Sequence, residues 1–344
     1  MPVISVRNLT HAYDEKAALQ DVSFTVRSGT CAVILGPSGS GKSTLLRCIA
    51  GLEAQKEGQV LFDGSDVSAL SPSQRKIAMV FQSAALFAYT KIKDNIGYGL
   101  RKLGWSKEEC RQMVYEAAEK LHIENLLERY PHAASGGERQ RASIARALVR
   151  KPDILLLDEP FSSLDARLSE ELQQEVIRLQ KETGMTMIMV THDQSEAVNM
   201  ADQVILLHEG KIQSAGSPKD LYENPPNLFT ALFLGTERLN VIPFESAMFA
   251  KLKSVYGFGD EVRTAALRPS ALLVSEEGEL NGTVISVHEG YEEREAAVLC
   301  EDMQLLVRTH ATMKSSERVN LKIREGFLYL FKEDGASVKL KPVV

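Results

Sequence analysis

The chain has 344 residues, of which 44% are hydrophobic and 25% are charged, and its formal net charge at pH 7 is -6. At roughly 100–200 residues per domain, this length predicts two domains or at most three, and the composition excludes a disordered chain. The acidic charge also weighs against a protein that binds nucleic acid through bulk positive charge, so no nucleic-acid partner is expected.

Hydrophobic segments in the chain are too short to span a membrane. The clearest are Cys31–Leu35 and Ile154–Leu157, whereas a membrane-spanning helix needs about 20 apolar residues. The N-terminal stretch MPVISVRN lacks the basic start and apolar core of a secretory signal. The cysteines are scattered without a C-x-x-C pair, which predicts ordinary cytosolic thiols. We therefore expect a cytoplasmic protein whose membrane contacts are peripheral.

Apolar runs in the first part of the chain predict strands that alternate with helices. Continuous runs without alternation are typical of strands buried on both faces. Leu172, Val176 and Leu179 form one apolar stripe, which predicts a helix within Ser169–Thr183. Strands that alternate with helices indicate a mostly parallel α/β sheet. The predicted strands are Val3–Arg7, Asp21–Val26, Cys31–Leu35, Ile154–Leu157 and Met185–Val190.

Later regions of the chain have different patterns. Residues from about 82 to 150 are mainly helical and charged, which predicts a helical subdomain inserted between strands of the sheet. Val204–Leu207 and Ile212 flank a turn, as expected of a hairpin. Beyond about residue 235, short strands alternate with glycine turns, which predicts a small β-barrel or sandwich. The predicted domains are residues 1–236 and 237–344, and the predicted tail strands are Gly282–Val287, Ala296–Cys300, Leu305–Val307, Val319–Ile323 and Phe327–Phe331.

A glycine-rich segment directly after the predicted strand Cys31–Leu35 has the pattern G-x-x-x-x-G-K-S. Strand, loop and helix in this order are the context of a phosphate-binding loop, in which backbone N–H groups and a helix N-terminus surround an anion. Lys42 is expected to reach the β- and γ-phosphates of a nucleotide, and the Ser43 hydroxyl to bind Mg²⁺. A plain turn is the alternative. The residues of this loop are Gly36, Pro37, Ser38, Gly39, Ser40, Gly41, Lys42, Ser43 and Thr44.

Two carboxylates follow the apolar run Ile154–Leu157. Asp158 and Glu159 stand where that strand ends, and ligands of open α/β sheets bind at the C-terminal edge. Asp158 is expected to hold Mg²⁺ through its water shell, and Glu159 to act as general base on the attacking water. The alternative is that both acids only end a strand in solvent. Together with the phosphate loop, the pair predicts a P-loop nucleotidase.

The segment Ser135–Arg141, SGGERQR, narrows this prediction. It precedes a helical run just upstream of the acidic pair, and this arrangement resembles ABC transporter ATPases, whose signature is SGG followed by a polar stretch and a helix. A hydroxyl, glycine N–H groups and a helix N-terminus are suited to a phosphate, so Ser135, Gly136 and Gly137 are expected to bind nucleotide. Ser135 is also expected to cap the helix.

Further residues match the family in their order along the chain. The resemblance implies that Gln82 senses Mg²⁺ and the attacking water, that His192 contacts the γ-phosphate, and that Tyr13 stacks on adenine. Ser163–Asp165 matches a loop that contacts the opposing subunit. A structural histidine and a surface tyrosine are the alternatives for His192 and Tyr13. The resemblance is close over residues 3 to about 235.

The resemblance implies an ABC nucleotide-binding domain of the α/β class with an inserted helical subdomain, followed by a small all-β domain of the barrel-like OB/TOBE type. It also implies a homodimer in which two copies face head to tail around two ATP molecules. In such a dimer Ser135–Gly137 of one copy completes the site of the other. The residues expected to act in catalysis are Glu159, His192 and Gln82, and those expected to hold Mg²⁺ are Ser43, Gln82 and Asp158.

The membrane partners are also implied by resemblance to importers. Such ATPases act with an integral permease at the cytoplasmic face of the inner membrane, and indirectly with an extracytoplasmic solute-binding protein. The groove near Gln82–Leu100 is expected to receive a short helix of the permease. Leu267–Ser270 and Asn281–Val284 match the TOBE-type domain of importers for ions, polyamines and sugars. That tail is expected either to sense a ligand or to mediate dimerisation.

Two sites depart from the family pattern. Ala134 stands where a leucine usually precedes SGG, and Ala88 and Tyr89 follow Phe87 where the family often has Pro-His. Neither site carries phosphate chemistry. The departures therefore bear on coupling to the membrane partner and not on hydrolysis.

Alternatives remain open for both the function and the substrate. A soluble ABC-type ATPase that acts on ribosomes or DNA is the second hypothesis, but the single cassette, the lack of sustained heptads and the acidic charge weigh against it. In this family the substrate does not touch the ATPase subunit. Phe229–Leu234 and the compact tail are most similar to ferric-iron importer ATPases, with sulfate, molybdate, polyamines and sugars as the other substrates.

Overall fold

The computed structural model describes residues 1–14, 16–235, 237–290 and 293–340. The chain divides into two compact units, Met1–Pro218 and Lys219–Val344. Residues 219–235, which the sequence assigns to the first domain, group with the second unit. Thr236, the last residue of the predicted first domain, lies outside the described residues, and the domain boundary stays a prediction. In the described ranges, no helix has the length and hydropathy of a membrane span.

The first unit is built from two sheets and the helices between and around them. Its elements are β1 (Ile4–Tyr13), β2 (Lys16–Val26), β3 (Cys31–Leu35), α1 (Lys42–Ala50), β4 (Glu57–Phe62), β5 (Ser65–Asp66), β6 (Ile77–Val80), α2 (Ile92–Lys102), α3 (Lys107–Lys120), α4 (Gly136–Leu148), β7 (Ile154–Asp158), α5 (Ala166–Thr183), β8 (Thr186–Thr191), α6 (Gln194–Met200), β9 (Gln203–His208) and β10 (Lys211–Gly216).

The central sheet has the strand order β10-β9-β3-β8-β7-β6, and all neighbours except the β9–β10 hairpin run parallel. Strands β3, β7 and β8 are buried at every residue, as continuous apolar runs predict. The strand predicted at Cys31–Leu35 is confirmed with the same bounds, and so is the α/β class. Because parallel strands end at one edge, the loops that follow β3, β7 and β8 meet there.

Helix α1 lies in the core between the central sheet and an antiparallel sheet of order β2-β1-β4-β5. Leu45, Leu46 and Ile49 of this helix are fully buried and share one hydrophobic cluster with residues of both sheets. The predicted stripe of α5, Leu172, Val176 and Leu179, is buried as well. The region from 82 to 150 contains α2, α3 and α4, which confirms its helical character.

The second unit is mainly antiparallel β structure. Its sheets have the orders β11-β12-β18-β19 and β13-β17-β14-β15-β16, which confirms the all-β, barrel-like expectation for the tail. The sequence prediction missed the helix α9. The elements are α7 (Pro218–Glu223), α8 (Leu228–Phe233), β11 (Asn240–Pro243), α9 (Ala247–Tyr256), β12 (Thr264–Leu267), β13 (Leu272–Val274), β14 (Leu280–Glu289), β15 (Arg294–Cys300), β16 (Met303–Thr309), β17 (Arg318–Ile323), β18 (Leu328–Phe331) and β19 (Ser337–Val338).

A buried arginine, Arg268, connects separate segments of this second unit. Arg268 has no exposed surface, and its guanidinium donates to the carbonyl oxygens of Leu234 (3.0 Å) and Tyr222 (3.3 Å). It also lies 3.6 Å from the centroid of the Tyr222 ring. A buried cation is costly unless its donors are satisfied, so these contacts hold the segment before β11 against the end of β12.

We predict that Arg268→Leu lowers the free energy of unfolding by about 3 kcal/mol or more, because buried carbonyls lose their donors. The matched control is Arg324→Leu, since the exposed Arg324 guanidinium lies 5.1 Å from the Phe327 ring centroid. That control should cost less than about 1 kcal/mol. Chemical denaturation followed by circular dichroism measures both, and equal stabilities of the two variants would contradict the role of Arg268.

Candidate active site

The phosphate loop joins β3 to α1, and its backbone lies too close to neighbouring strands for a side chain at two glycines. A Cβ on Gly36 would lie 2.1 Å from the carbonyl oxygen of Leu207, and one on Gly41 would lie 2.5 Å from that of Ala18. Gly41 also has φ of 100°, a conformation that glycine adopts most easily. Glycine is therefore required at both positions for the loop to keep this path.

Lys42 is the first residue of α1, and its side chain folds back over the loop. Its Nζ donates to the carbonyl oxygens of Gly36 (3.0 Å) and Pro37 (2.9 Å). Burial lowers the pKa of Lys42, while the nearby carboxylates of Glu159 and Asp158 act in the opposite direction. The ammonium group thus lies at the loop, between two carbonyl oxygens and the acidic pair.

Hard oxygen ligands meet next to the lysine. The Ser43 hydroxyl donates to Asp158 Oδ1 at 2.7 Å, and Asp158 is buried. Mg²⁺ is commonly held by one or two protein oxygens together with substrate phosphates, so this pair fits the ion. The buried Ser40 hydroxyl has no hydrogen-bond partner among the described residues, which suits a loop that receives phosphate oxygens.

Residues of three loops lie in contact at Glu159. Its backbone is left-handed, with φ of 44°, and its N–H donates to the carbonyl oxygen of Val190 at 3.0 Å. Gln82 Nε2 donates to Glu159 Oε2 at 3.1 Å. His192 Nδ1 lies 3.4 Å from the same oxygen. Side chains that follow β6, β7 and β8 therefore converge on one carboxylate.

An open cleft of about 630 Å³ lies above the loop. Tyr13 lines it with a ring that is 48% exposed, and the Tyr13 hydroxyl lies 3.3 Å from Thr44 Oγ1. An aromatic surface beside a phosphate loop offers stacking to a base. The predicted residues that line the cleft are Tyr13, Ser38, Gly39, Gly41, Lys42, Ser43, Thr44 and Glu159.

The segment Ser135–Gly137 is not among the described residues that line this cleft. The Ser135 hydroxyl accepts from the Glu138 N–H and caps α4, with Glu138 returning a bond to the Ser135 N–H. A Cβ on Gly136 would meet none of the described residues within 4 Å, whereas one on Gly137 would lie 2.2 Å from Leu168 Cδ2.

Sequence reasoning missed the residues that support the loop after Gln82. Arg146 of α4 donates to the carbonyl oxygens of Ala85 (2.8 Å) and Ala84 (3.3 Å). Asn95 of α2 is fully buried and exchanges hydrogen bonds with the backbone of Phe87. No motif marks either residue, because each is defined only by contacts with a distant or irregular segment.

Comparisons with known proteins show the family of the chain. The profile of the ABC transporter family matches residues 19–162. The Fe(3+) ions import ATP-binding protein FbpC of Escherichia coli O157:H7 is 38% identical over 320 residues, which is 90% of this chain and 91% of that protein. The chain belongs to the ATP-binding subunits of ABC transporters. Its predicted fold and its ATPase class are thereby confirmed.

Two further proteins resemble this ABC ATPase over long stretches. The maltose/maltodextrin import ATP-binding protein MalK of Aliivibrio fischeri is 36% identical over 357 residues, which is 97% of each chain. The dimeric post-hydrolysis structure of an ATP-binding cassette bound to ADP and Pi is 31% identical, with a TM-score of 0.58, and the match covers 62% of this chain and 98% of that one.

We predict that Gly36→Ala lowers the affinity of this ABC ATPase for ATP at least about tenfold, because the methyl group would displace the loop from β9. Titration with a fluorescent ATP analogue measures the affinity, and circular dichroism checks the fold. The matched control is Gly136→Ala, the same chemical change at a position with room, and the comparison is made on single copies, in which this variant should bind nucleotide like the wild type. Normal affinity of Gly36→Ala would contradict the close packing of the loop.

Proposed function

We propose that this chain powers the import of a solute across the cytoplasmic membrane by binding and hydrolysing ATP. Two copies act together on an integral permease at the inner face of that membrane, which receives solute from an extracytoplasmic binding protein. The observation that carries this function is the convergence of Gln82 and His192 on Glu159, beside Lys42 of the phosphate loop. Relatives matched over nearly the whole chain are import ATP-binding proteins.

The phosphate loop binds the nucleotide. Its Lys42 ammonium now donates to two loop carbonyls, and an ATP triphosphate offers it charged acceptors that form stronger hydrogen bonds. Backbone N–H groups from Gly36 to Thr44 and the N-terminus of α1 surround the same phosphates. Tyr13 stacks on the adenine ring.

Ser43, Asp158 and Gln82 would hold Mg²⁺ with the nucleotide, and the ion would supply positive charge to the β- and γ-phosphates. The bond between Ser43 Oγ and Asp158 Oδ1 already brings two of the oxygens together at 2.7 Å. Little rearrangement of the chain is then needed on binding, which favours affinity.

Glu159 takes a proton from the attacking water. A general base must be held within hydrogen-bond reach of that water, and Gln82 and His192 both contact the Glu159 carboxylate and limit its rotation. His192 also contacts the γ-phosphate. The chain thus contributes mainly positioning and electrostatic stabilisation to an in-line transfer of the phosphoryl group to water.

A second copy completes each site. Ser135–Gly137 does not line the cleft of its own chain, and Gly136 has open space where a side chain would be. Both features suit a segment that faces the nucleotide of an opposing copy, in a head-to-tail homodimer. The N-terminus of α4 then adds a favourable dipole to the triphosphate.

We predict that Glu159→Gln binds ATP like the wild type and forms a stable dimer with ATP, but hydrolyses it at least about 100-fold more slowly, because the base is lost. Phosphate release and light scattering measure turnover and dimerisation. Glu170→Gln, an exposed position on α5, is the matched control with normal turnover. Wild-type turnover of Glu159→Gln would remove Glu159 as the base.

The head-to-tail dimer predicts a different result for Gly136→Ala. A Cβ at this position meets none of the described residues within 4 Å, so fold and nucleotide affinity of single copies should persist. ATP-driven dimerisation and turnover should fall at least about tenfold, because the added group overlaps the opposing nucleotide. Sedimentation with Mg-ATP measures this, and an intact dimer with full turnover would count against this interface.

Solute uptake tests the import function and identifies the substrate. A strain that lacks the gene should lose uptake of one labelled solute among ferric iron, sulfate, molybdate, a polyamine and a sugar, with ferric iron the first to examine. The wild-type gene should restore it and Glu159→Gln should not. If no uptake changes while the purified protein hydrolyses ATP, the soluble ATPase on ribosomes or DNA becomes the better function.

A further inference from the structure

The hydroxyl of Tyr13 is held at the edge of the nucleotide cleft. It donates a hydrogen bond to Glu53 Oε2 and lies 3.3 Å from Thr44 Oγ1. Partial burial raises the pKa of the Tyr13 hydroxyl, and so does the Glu53 carboxylate, which keeps the group a donor. Tyr13 is half exposed and lines the cleft, and Glu53 contacts its hydroxyl rather than a face of the ring.

The turn that ends α1 delivers Glu53 to this position. Gly51 adopts φ of 74°, and the N–H groups of Leu52 and Glu53 both donate to the carbonyl oxygen of Arg47, at 2.9 and 3.3 Å. Buried Arg75 donates to the last carbonyls of α1, and a Cβ on Gly51 would lie 2.6 Å from its Nε. The helix that begins at the phosphate loop therefore ends in a rigid turn that carries Glu53.

Arg47 holds the Glu53 carboxylate, since its Nη1 donates to Glu53 Oε1 at 3.4 Å. His11 Nε2 lies 3.4 Å from Glu53 Oε2 without a hydrogen bond to it. His11 Nδ1 donates to the carbonyl oxygen of Ala54 at 2.9 Å. The His11 and Tyr13 rings meet edge to face with centroids 4.8 Å apart, so rotation of the tyrosine is restricted on two sides.

We infer that Glu53 is a positioning residue that holds the Tyr13 ring ready to stack on the base of the nucleotide. This role rests on the ATPase function proposed above. It adds a residue on the side of the site that faces the adenine of the nucleotide. A tyrosine without the bond to Glu53 would have to be ordered when ATP binds, and that cost would appear as lost affinity. The chemistry at the γ-phosphate would be unaffected, because Glu53 does not touch the acidic pair.

The experiment compares ATP with inorganic tripolyphosphate, which has the phosphates but no base. Glu53→Ala should raise KM for ATP about tenfold, since a hydrogen bond to a charged group is lost, and should change kcat less than about twofold. Its affinity for tripolyphosphate should equal that of the wild type. Glu53→Gln keeps an acceptor and should restore most of the affinity for ATP. Glu57→Ala, an exposed carboxylate on β4, is the matched control.

A second variant isolates the hydroxyl without disturbing the turn. Tyr13→Phe keeps the ring and leaves the contacts of Glu53 with His11 and Arg47, and it should raise KM for ATP as Glu53→Ala does. In the Tyr13→Phe background, Glu53→Ala should have no further effect. Tyr13→Phe also keeps the role of Glu53 testable if Glu53→Ala folds poorly. An unchanged KM for ATP in Tyr13→Phe would by itself overturn that role.

Other outcomes distinguish a failure of the positioning role of Glu53 from a failure of the proposed ATPase function. An unchanged KM in Glu53→Ala, or an equal loss of affinity for ATP and tripolyphosphate, overturns the positioning role and leaves the ATPase function in place. A wild-type protein that does not hydrolyse ATP would instead overturn the proposed function. Additive effects of Glu53→Ala and Tyr13→Phe would also overturn the role, because the two residues would then act independently.

Discussion

The close approach of the Gly36 backbone to the carbonyl oxygen of Leu207 is the constraint on which the site depends. A Cβ would lie 2.1 Å from that oxygen, so the loop after β3 can follow only the path that glycine permits. This path sets where α1 begins, and with it the positions of Lys42 and Ser43. Since β7 belongs to the same parallel sheet, Asp158 lies within 2.7 Å of the Ser43 hydroxyl. Packing of the sheet thus brings together the oxygens suited to Mg²⁺.

The carboxylate of Glu159 is positioned differently, by side chains from separate loops. Gln82 and His192 both reach it, while Arg146 of α4 and Asn95 of α2 hold the segment after Gln82. The helical region therefore contacts the segment that carries Gln82, and Gln82 in turn contacts Glu159.

Sequence patterns predicted those elements and residues whose defining features lie within one short stretch of the chain. Cys31–Leu35 was predictable to the residue, because a strand buried on both faces is a continuous apolar run, and the phosphate loop because its glycines and lysine are adjacent in sequence. The contacts of Glu53 with Tyr13 and of Arg268 with Leu234 were not predictable. The two residues of each pair lie about 40 positions apart, and a lone charged residue is usually solvated. Helix α9 was missed because its apolar positions also suit a strand, and only its Ser246 cap marks its start.

The two departures from the family pattern lie in different surroundings: Ala134 is buried next to Ser135, whereas Tyr89 lies in the exposed segment after Gln82. Tyr89 is 95% exposed, and Phe87 and Tyr98 beside it are exposed rings with centroids 4.9 Å apart. Exposed aromatic side chains in one patch are typical anchors of protein interfaces, and this patch lies in the region expected to meet the permease. The phosphate-loop residues that line the cleft, in contrast, match the family motif. An ATPase subunit specialised for its own permease should differ from its relatives at such a surface and agree with them at the phosphates. Relatives named for the import of ferric iron and of maltodextrin match this chain at 38% and 36% identity over 90% and 97% of its length, so overall similarity does not select the solute.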